Sequence, residues 1–122
     1  MNGWVKVCTT GDILENGGSC VKVGDRQIAI FNIDAREAGQ EGREWYAVEN
    51  ECPHKRQNVL SRGLVGEDGT EPKIVCPLHK NAFSLKTGKH LGGNDSWILK
   101  TYPVKIENGD IYLLERSLLN GI

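Results

Sequence analysis

The sequence predicts an all-β domain, and three observations lead there. Fifteen glycines punctuate 122 residues, short β-branched or aromatic runs lie between them, and stretches with the hydrophobic period of a helix are hard to find. A chain of this size, 13.5 kDa, buries a core without disulfides to hold it. It reads as one domain over residues 1–122, a small β-sandwich or barrel with its chemistry on two loops at one tip.

The elements follow in order. Trp4 to Thr10 makes a first strand, Ser19 to Val23 a second and Arg26 to Ile33 a third, with Gly24-Asp25 as a two-residue hairpin turn between the last two. Asp34 to Glu44 is polar and glycine-containing, too charged for a core strand, and reads as a long exposed loop with room for a short helical turn. Trp45 to Val48 resumes a strand, and the twenty or so residues after Cys52-Pro53-His54 read as loop. Ala82 to Leu85 is a short strand, Thr87-Gly88 a turn, and Leu91 to Asp95 a flexible connection. Trp97 to Glu107 and Asp110 to Glu115 then form a last hairpin around Asn108-Gly109, the strongest short hairpin signal available.

Composition narrows the function classes. Fifteen Lys and Arg against sixteen Asp and Glu give a net charge of -1, so no nucleic-acid footprint is written into the bulk composition. The N-terminus lacks the basic stretch and apolar run of a secretory signal, and no segment approaches the roughly 18 apolar residues of a membrane span. A cytoplasmic protein without nucleic-acid or membrane partners is the expectation. In a reducing compartment Cys8 and Cys20 are expected as small buried hydrophobes rather than as a disulfide.

The chemistry concentrates in two short knuckles, Cys52-Pro53-His54 and Cys76-Pro77-Leu78-His79. Each offers one soft thiolate and one imidazole, and Pro53 and Pro77 stiffen the loops that carry them. A two-iron, two-sulfide cluster with mixed ligation needs two thiolates on one iron and two imidazoles on the other. Cys52 and Cys76 are then expected on the inner iron, His54 and His79 on the outer. Replacing two thiolates by neutral imidazoles raises the potential above that of an all-cysteine centre. Zinc would accept the same four donors, although zinc-finger spacing usually pairs Cys with Cys and His with His. His90 has no spacing partner and reads as a surface histidine. Lys55, Arg56, Arg62, Lys80, Lys86 and Lys89 cluster around the knuckles in sequence, as a basic docking rim or as an ordinary solvated face.

On these residues the chain resembles the Rieske [2Fe-2S] domains, which carry Cys-x-His and Cys-x-x-His on two loops at the tip of a small β-domain. It is most similar to the small subunits of assimilatory NAD(P)H-dependent nitrite reductases, at Cys52-Pro53-His54-Lys55, at Val59 to Gly66, and at Cys76-Pro77-Leu78-His79-Lys80 with Phe83, Leu85 and Thr87-Gly88. The similarity runs from Trp4 to about Leu114. Oxygenase-type Rieske ferredoxins usually have glycine where Lys80 stands, and respiratory-chain Rieske proteins add a cysteine to each loop. The resemblance implies cluster-binding loops at about 50–58 and 75–82 and a bound Rieske-type [2Fe-2S] cluster. It also implies electron transfer beside a large siroheme and flavin subunit that reduces nitrite to ammonia, with no catalysis by this chain alone. Two alternatives stay open: a free-standing ferredoxin serving an oxygenase, and a cluster-free β-domain acting as scaffold.

Overall fold

The run Ile28-Ala29-Ile30-Phe31-Asn32-Ile33 is apolar at nearly every position rather than at alternate ones, as befits a strand covered on both faces. In the computed structural model, which describes residues 3–14, 16–34, 43–54, 57–68, 71–78 and 80–114, this run forms the middle of a central strand. The strands, numbered in chain order, begin with β1 (Trp4–Thr9), β2 (Gly17–Val23), β3 (Arg26–Asp34) and β4 (Arg43–Glu49). Next come β5 (Glu51–Cys52), β6 (Gln57–Asn58), β7 (Leu64–Asp68), β8 (Glu71–Val75) and β9 (Ala82–Ser84). The last are β10 (Thr101–Tyr102), β11 (Val104–Glu107) and β12 (Asp110–Leu114). The all-β expectation holds.

Parity along β3 divides the molecule into two cores. Ile28 and Ile30 pack with Ile13, Ala47, Tyr102, Ile111 and Leu113, whereas Ala29, Phe31 and Ile33 pack with Val48, Cys52, Leu60, Ile74, Cys76, Phe83, Leu85 and Leu99. The first core lies between the sheet β10-β4-β3-β2 and the sheet β1-β12-β11; the second joins β3 and β4 to the sheet β7-β8-β9 and the ribbon β5-β6. Asn32, on the same strand, is buried but donates from Nδ2 to the Ile13 carbonyl at 3.3 Å, so no polar group is stranded there.

Both predicted two-residue turns are present. Val23 faces Arg26 across Gly24-Asp25, and Glu107 faces Asp110 across Asn108-Gly109, where φ is 52° and 81°. Two positive φ values are what a type I′ turn requires, which is why Asn-Gly serves.

Four readings change. The segment between the knuckles is no loop: β7 and β8 form an antiparallel hairpin from Leu64↔Val75 to Asp68↔Glu71, preceded by a 3-10 turn over Leu60–Arg62. The strand expected over Trp97 to Glu107 begins at Thr101 and is split at Pro103, which has no N–H for a ladder. The chain therefore changes sheets there, β10 pairing with β4 and β11 with β12. The polar segment after Ile33 is strand at its ends, since β3 and β4 pair as far as Asp34↔Arg43; residues 35–42 lie outside the described residues. Cys20, expected among buried hydrophobes, is exposed; it and the half-buried Cys8 are free. Among the described residues no helix is long and apolar enough to cross a membrane.

Candidate metal centre

Each knuckle grows from a hairpin. Cys52 ends β5 and faces Gln57 at the start of β6, and Pro53 and His54 turn the chain away from β5. Cys76 follows β8 directly, and Val75 faces Ala82 at the start of β9. The second loop is closed by its own backbone: the Cys76 N–H donates to the Asn81 carbonyl at 2.8 Å and the Lys80 N–H to the Cys76 carbonyl at 2.9 Å. That closure puts Lys80 at φ 58°, a left-handed conformation that costs an L-residue about 1–2 kcal/mol and a glycine almost nothing.

The two cysteines are 1% and 0% exposed and share one core cluster with Leu60, Ile74, Phe83 and Leu85. His54 is half-buried in the first turn, with its ring centroid 4.6 Å from that of Trp97 at a tilt of 60°. Its Nδ1 is buried and enters no hydrogen bond with the protein. His79 lies outside the described residues, as do Lys55 and Arg56. Among the described residues no three His, Cys, Asp or Glu side chains stand together as a metal-binding group. Of the remaining rim residues, Arg62, Lys80, Lys86 and Lys89 are exposed, and Leu78 beside the second knuckle is 52% exposed.

The first loop is held from behind by Asn50. This residue is 2% exposed, accepts the Ser61 N–H at Oδ1 (2.7 Å) and donates from Nδ2 to Gln27 Oε1 (3.1 Å). Its backbone N–H donates to the Gln27 carbonyl and its carbonyl accepts the Leu60 N–H. The strand leading into Cys52 is thereby tied to the 3-10 turn that precedes β7. Gly63 closes the same junction: a Cβ there would stand 2.3 Å from the Val75 carbonyl oxygen, one residue before Cys76. Only glycine fits without displacing the second knuckle.

Sequence reasoning missed Asn50, Trp97 and His90. Asn50 sits between two glutamates and looks like solvent-facing chain; Trp97 looks like a strand residue. His90 is half-buried, with its ring 5.0 Å from Trp97 and 5.4 Å from Phe83.

Two buried thiols on neighbouring hairpin turns and an imidazole on one of those turns are a donor set suited to soft and borderline metals, iron-sulfur centres included. The residues present fit such a group. Residues 3–114 match the Rieske-like [2Fe-2S] domain family. The chain belongs to that family. The cofactor of such a domain is a Rieske-type [2Fe-2S] cluster.

The Rieske-like domain is 34% identical over 116 residues to the large subunit of NAD(P)H nitrite reductase from Klebsiella oxytoca, covering 95% of this chain but only 11% of that protein. It is also 34% identical over 110 residues to the ferredoxin subunit of 3-phenylpropionate/cinnamic acid dioxygenase from Escherichia coli K12, covering 89% of this chain and 91% of that one. Among solved structures, the small subunit of NAD(P)H nitrite reductase from Erwinia carotovora superposes with a TM-score of 0.72 at 32% identity, over 93% of this chain and 82% of that one. The Rieske-like domain thus resembles both nitrite reductase small subunits and dioxygenase ferredoxins.

Proposed function

We propose that this chain is the small, electron-transferring or stabilising subunit of an assimilatory NAD(P)H-dependent nitrite reductase, its cluster held by Cys52, His54, Cys76 and His79. The observation that carries the ligand assignment is the burial of Cys52 and Cys76 in one core, each at the start of a hairpin turn whose sequence also supplies a histidine. Cys52 and Cys76 serve the inner iron, His54 and His79 the outer. When bound, the cluster accepts and releases one electron at a time. The chain's own residues bury Cys52 and Cys76, hold the second loop through the Cys76 to Asn81 and Lys80 to Cys76 hydrogen bonds, and leave Pro77 and Leu78 exposed on it. The whole of residues 1–122 is read as this one domain, working in the cytoplasm.

The partner in this reading is a large subunit carrying flavin and siroheme. Support comes from the likeness to nitrite reductase subunits and from Lys80, which stands where oxygenase-type ferredoxins usually have glycine. The exposed Arg62, Lys80, Lys86 and Lys89 would then face an acidic surface of that partner. The second reading, a ferredoxin that supplies a dioxygenase, is favoured by the 91% coverage of the Escherichia coli ferredoxin subunit. Two measurements separate them. Visible and EPR spectra of anaerobically purified protein, before and after reduction, should show a Rieske-type signal; a colourless, EPR-silent sample refutes the ligand assignment. Purification from the native host should yield a stoichiometric complex with a siroheme protein; a monomer that reduces an oxygenase supports the ferredoxin instead.

A further inference from the structure

The segment after β9 folds back on it. Ser84 N–H donates to the Lys89 carbonyl and Leu91 N–H to the Ala82 carbonyl, both near 2.9 Å, with Phe83 bridged to His90. This pairing fixes the His90 backbone, and its ring is then fixed by three neighbours. Nδ1 accepts the Asn94 N–H at 3.0 Å, Phe83 lies at 5.4 Å and Trp97 at 5.0 Å. Accepting at Nδ1 leaves the proton of the neutral ring on Nε2. Gly92 keeps the space open, since a Cβ there would stand 2.6 Å from His90 Cε1.

Asn94 holds both rings. Its N–H goes to His90 and its carbonyl accepts the Trp97 N–H at 3.1 Å, while its own Oδ1 accepts the Ser96 N–H. The turn from His90 to Trp97 is therefore folded to set indole against imidazole, and the same indole meets the His54 ring at 4.6 Å. Phe83, in the thiol-containing core, anchors one end of this series and His54 the other.

We propose that Trp97, braced by His90, is a positioning residue for the His54 ring and a dry cover beside it, and so lowers the reduction potential of the centre. The inference rests on the assignment of His54 as a ligand. Two thiolates and two neutral imidazoles around a doubly positive [2Fe-2S] core make an uncharged oxidised centre, and one added electron gives it a single negative charge. An apolar cover disfavours the charged form. Removing the indole admits water, favours the reduced form and raises the potential.

The test uses the whole chain, loaded with its cluster, titrated against redox mediators and followed by EPR and visible circular dichroism. Trp97→Ala, with wild-type iron content, should shift the reduced-to-oxidised ratio at a fixed poise about tenfold toward reduced, equivalent to 59 mV for one electron. Trp97→Phe keeps an apolar ring and should stay close to wild type. His90→Ala removes only the brace and should shift in the same direction by less, together with a changed EPR g-anisotropy. A purely structural role would lower the melting temperature of the cluster-free protein and leave both signatures in place. Should Trp97→Ala lose its iron, His90→Ala decides: a raised potential supports the inference and an unmoved one overturns it. A normal wild-type signal beside unmoved variants overturns the inference alone; a wild-type sample without the signal overturns the ligand assignment and the inference with it.

Discussion

Asn50→Ala should be among the most damaging single substitutions outside the apolar core. The residue is 2% exposed, and its side chain joins Ser61 N–H at 2.7 Å to Gln27 Oε1 at 3.1 Å. Truncation leaves the partly buried Ser61 N–H without its acceptor, a loss of about 1–3 kcal/mol. The Gln27 side chain is exposed, so water replaces its lost donor and the cost there is at most about 1 kcal/mol. The two together come to about 1–4 kcal/mol, with a midpoint of about 2.5 kcal/mol. The backbone hydrogen bonds of Asn50 to Gln27 and Leu60 survive in alanine. For a chain of this size that loss lowers the melting temperature by about 10 °C. Urea unfolding of the cluster-free protein, monitored by circular dichroism, measures it directly. Gln27→Ala serves as the comparison: it keeps the Ser61 hydrogen bond and leaves the buried Asn50 Nδ2 only the 3.6 Å contact to Cys20 Sγ, so it should cost about 1 kcal/mol, less than Asn50→Ala. An Asn50→Ala midpoint shift no larger than that of Gln27→Ala would refute the claim that the Ser61 hydrogen bond carries the tie.

Gly88→Ala should destabilise by more than about 2 kcal/mol, because φ is 79° and a Cβ would stand 2.1 Å from the Leu99 carbonyl oxygen; a thermal-shift measurement showing no loss would contradict the close approach. The Cys8 thiol is pushed up from 9.0 to about 11 by burial and then by Asp12. A thiol raised in the folded state contributes stability that is whole below pH 9 and is lost as pH rises through about 11. The stability difference between wild type and Cys8→Ala, from urea titrations at several pH values, should therefore be flat below pH 9 and fall above it; a flat difference to pH 11 would be inconsistent with the shift.

What the sequence displays best is local. Gly24-Asp25 and Asn108-Gly109 announce their turns because the required φ values belong to those residue types. The β7 and β8 hairpin is hidden for the same reason in reverse. Its strands contain Gly66 and Pro72, residues that argue against strand in any local reading. Pro72 is accommodated because Glu67 stands opposite it and its carbonyl still accepts the Leu85 N–H at 2.9 Å. The knuckles are legible because spacing within a loop is itself local; Asn50 and the rings of His90 and Trp97 are not. Asn50 acts through Gln27, 23 residues away, and Trp97 meets His54 across most of the second half of the chain. No periodicity within one element registers such partners. Nor does the sequence show that Lys80 occupies a left-handed backbone position, since lysine carries no preference for it.

Lys80 gives the docking proposal its sharpest test, because two effects of one substitution have opposite signs. At φ 58° the lysine backbone is strained by about 1–2 kcal/mol, and glycine relieves that strain at a cost of about 0.4–1 kcal/mol in unfolded-chain entropy. Lys80→Gly should therefore stabilise the isolated domain by about 0.5–1 kcal/mol. The side chain is exposed on the second knuckle, so little packing is lost with it. If the basic rim meets an acidic partner, the same substitution should weaken binding to the large subunit at low ionic strength, and salt should erase the difference as it screens the charges. A solvated face without a docking role predicts the gain in stability alone. Titration calorimetry at two salt concentrations, beside urea unfolding of the free domain, reads both quantities. Unchanged affinity at low salt, for Lys80→Gly and for charge reversal at Lys55 and Lys80 together, would remove the basic rim from the proposal while leaving the ligand assignment untouched.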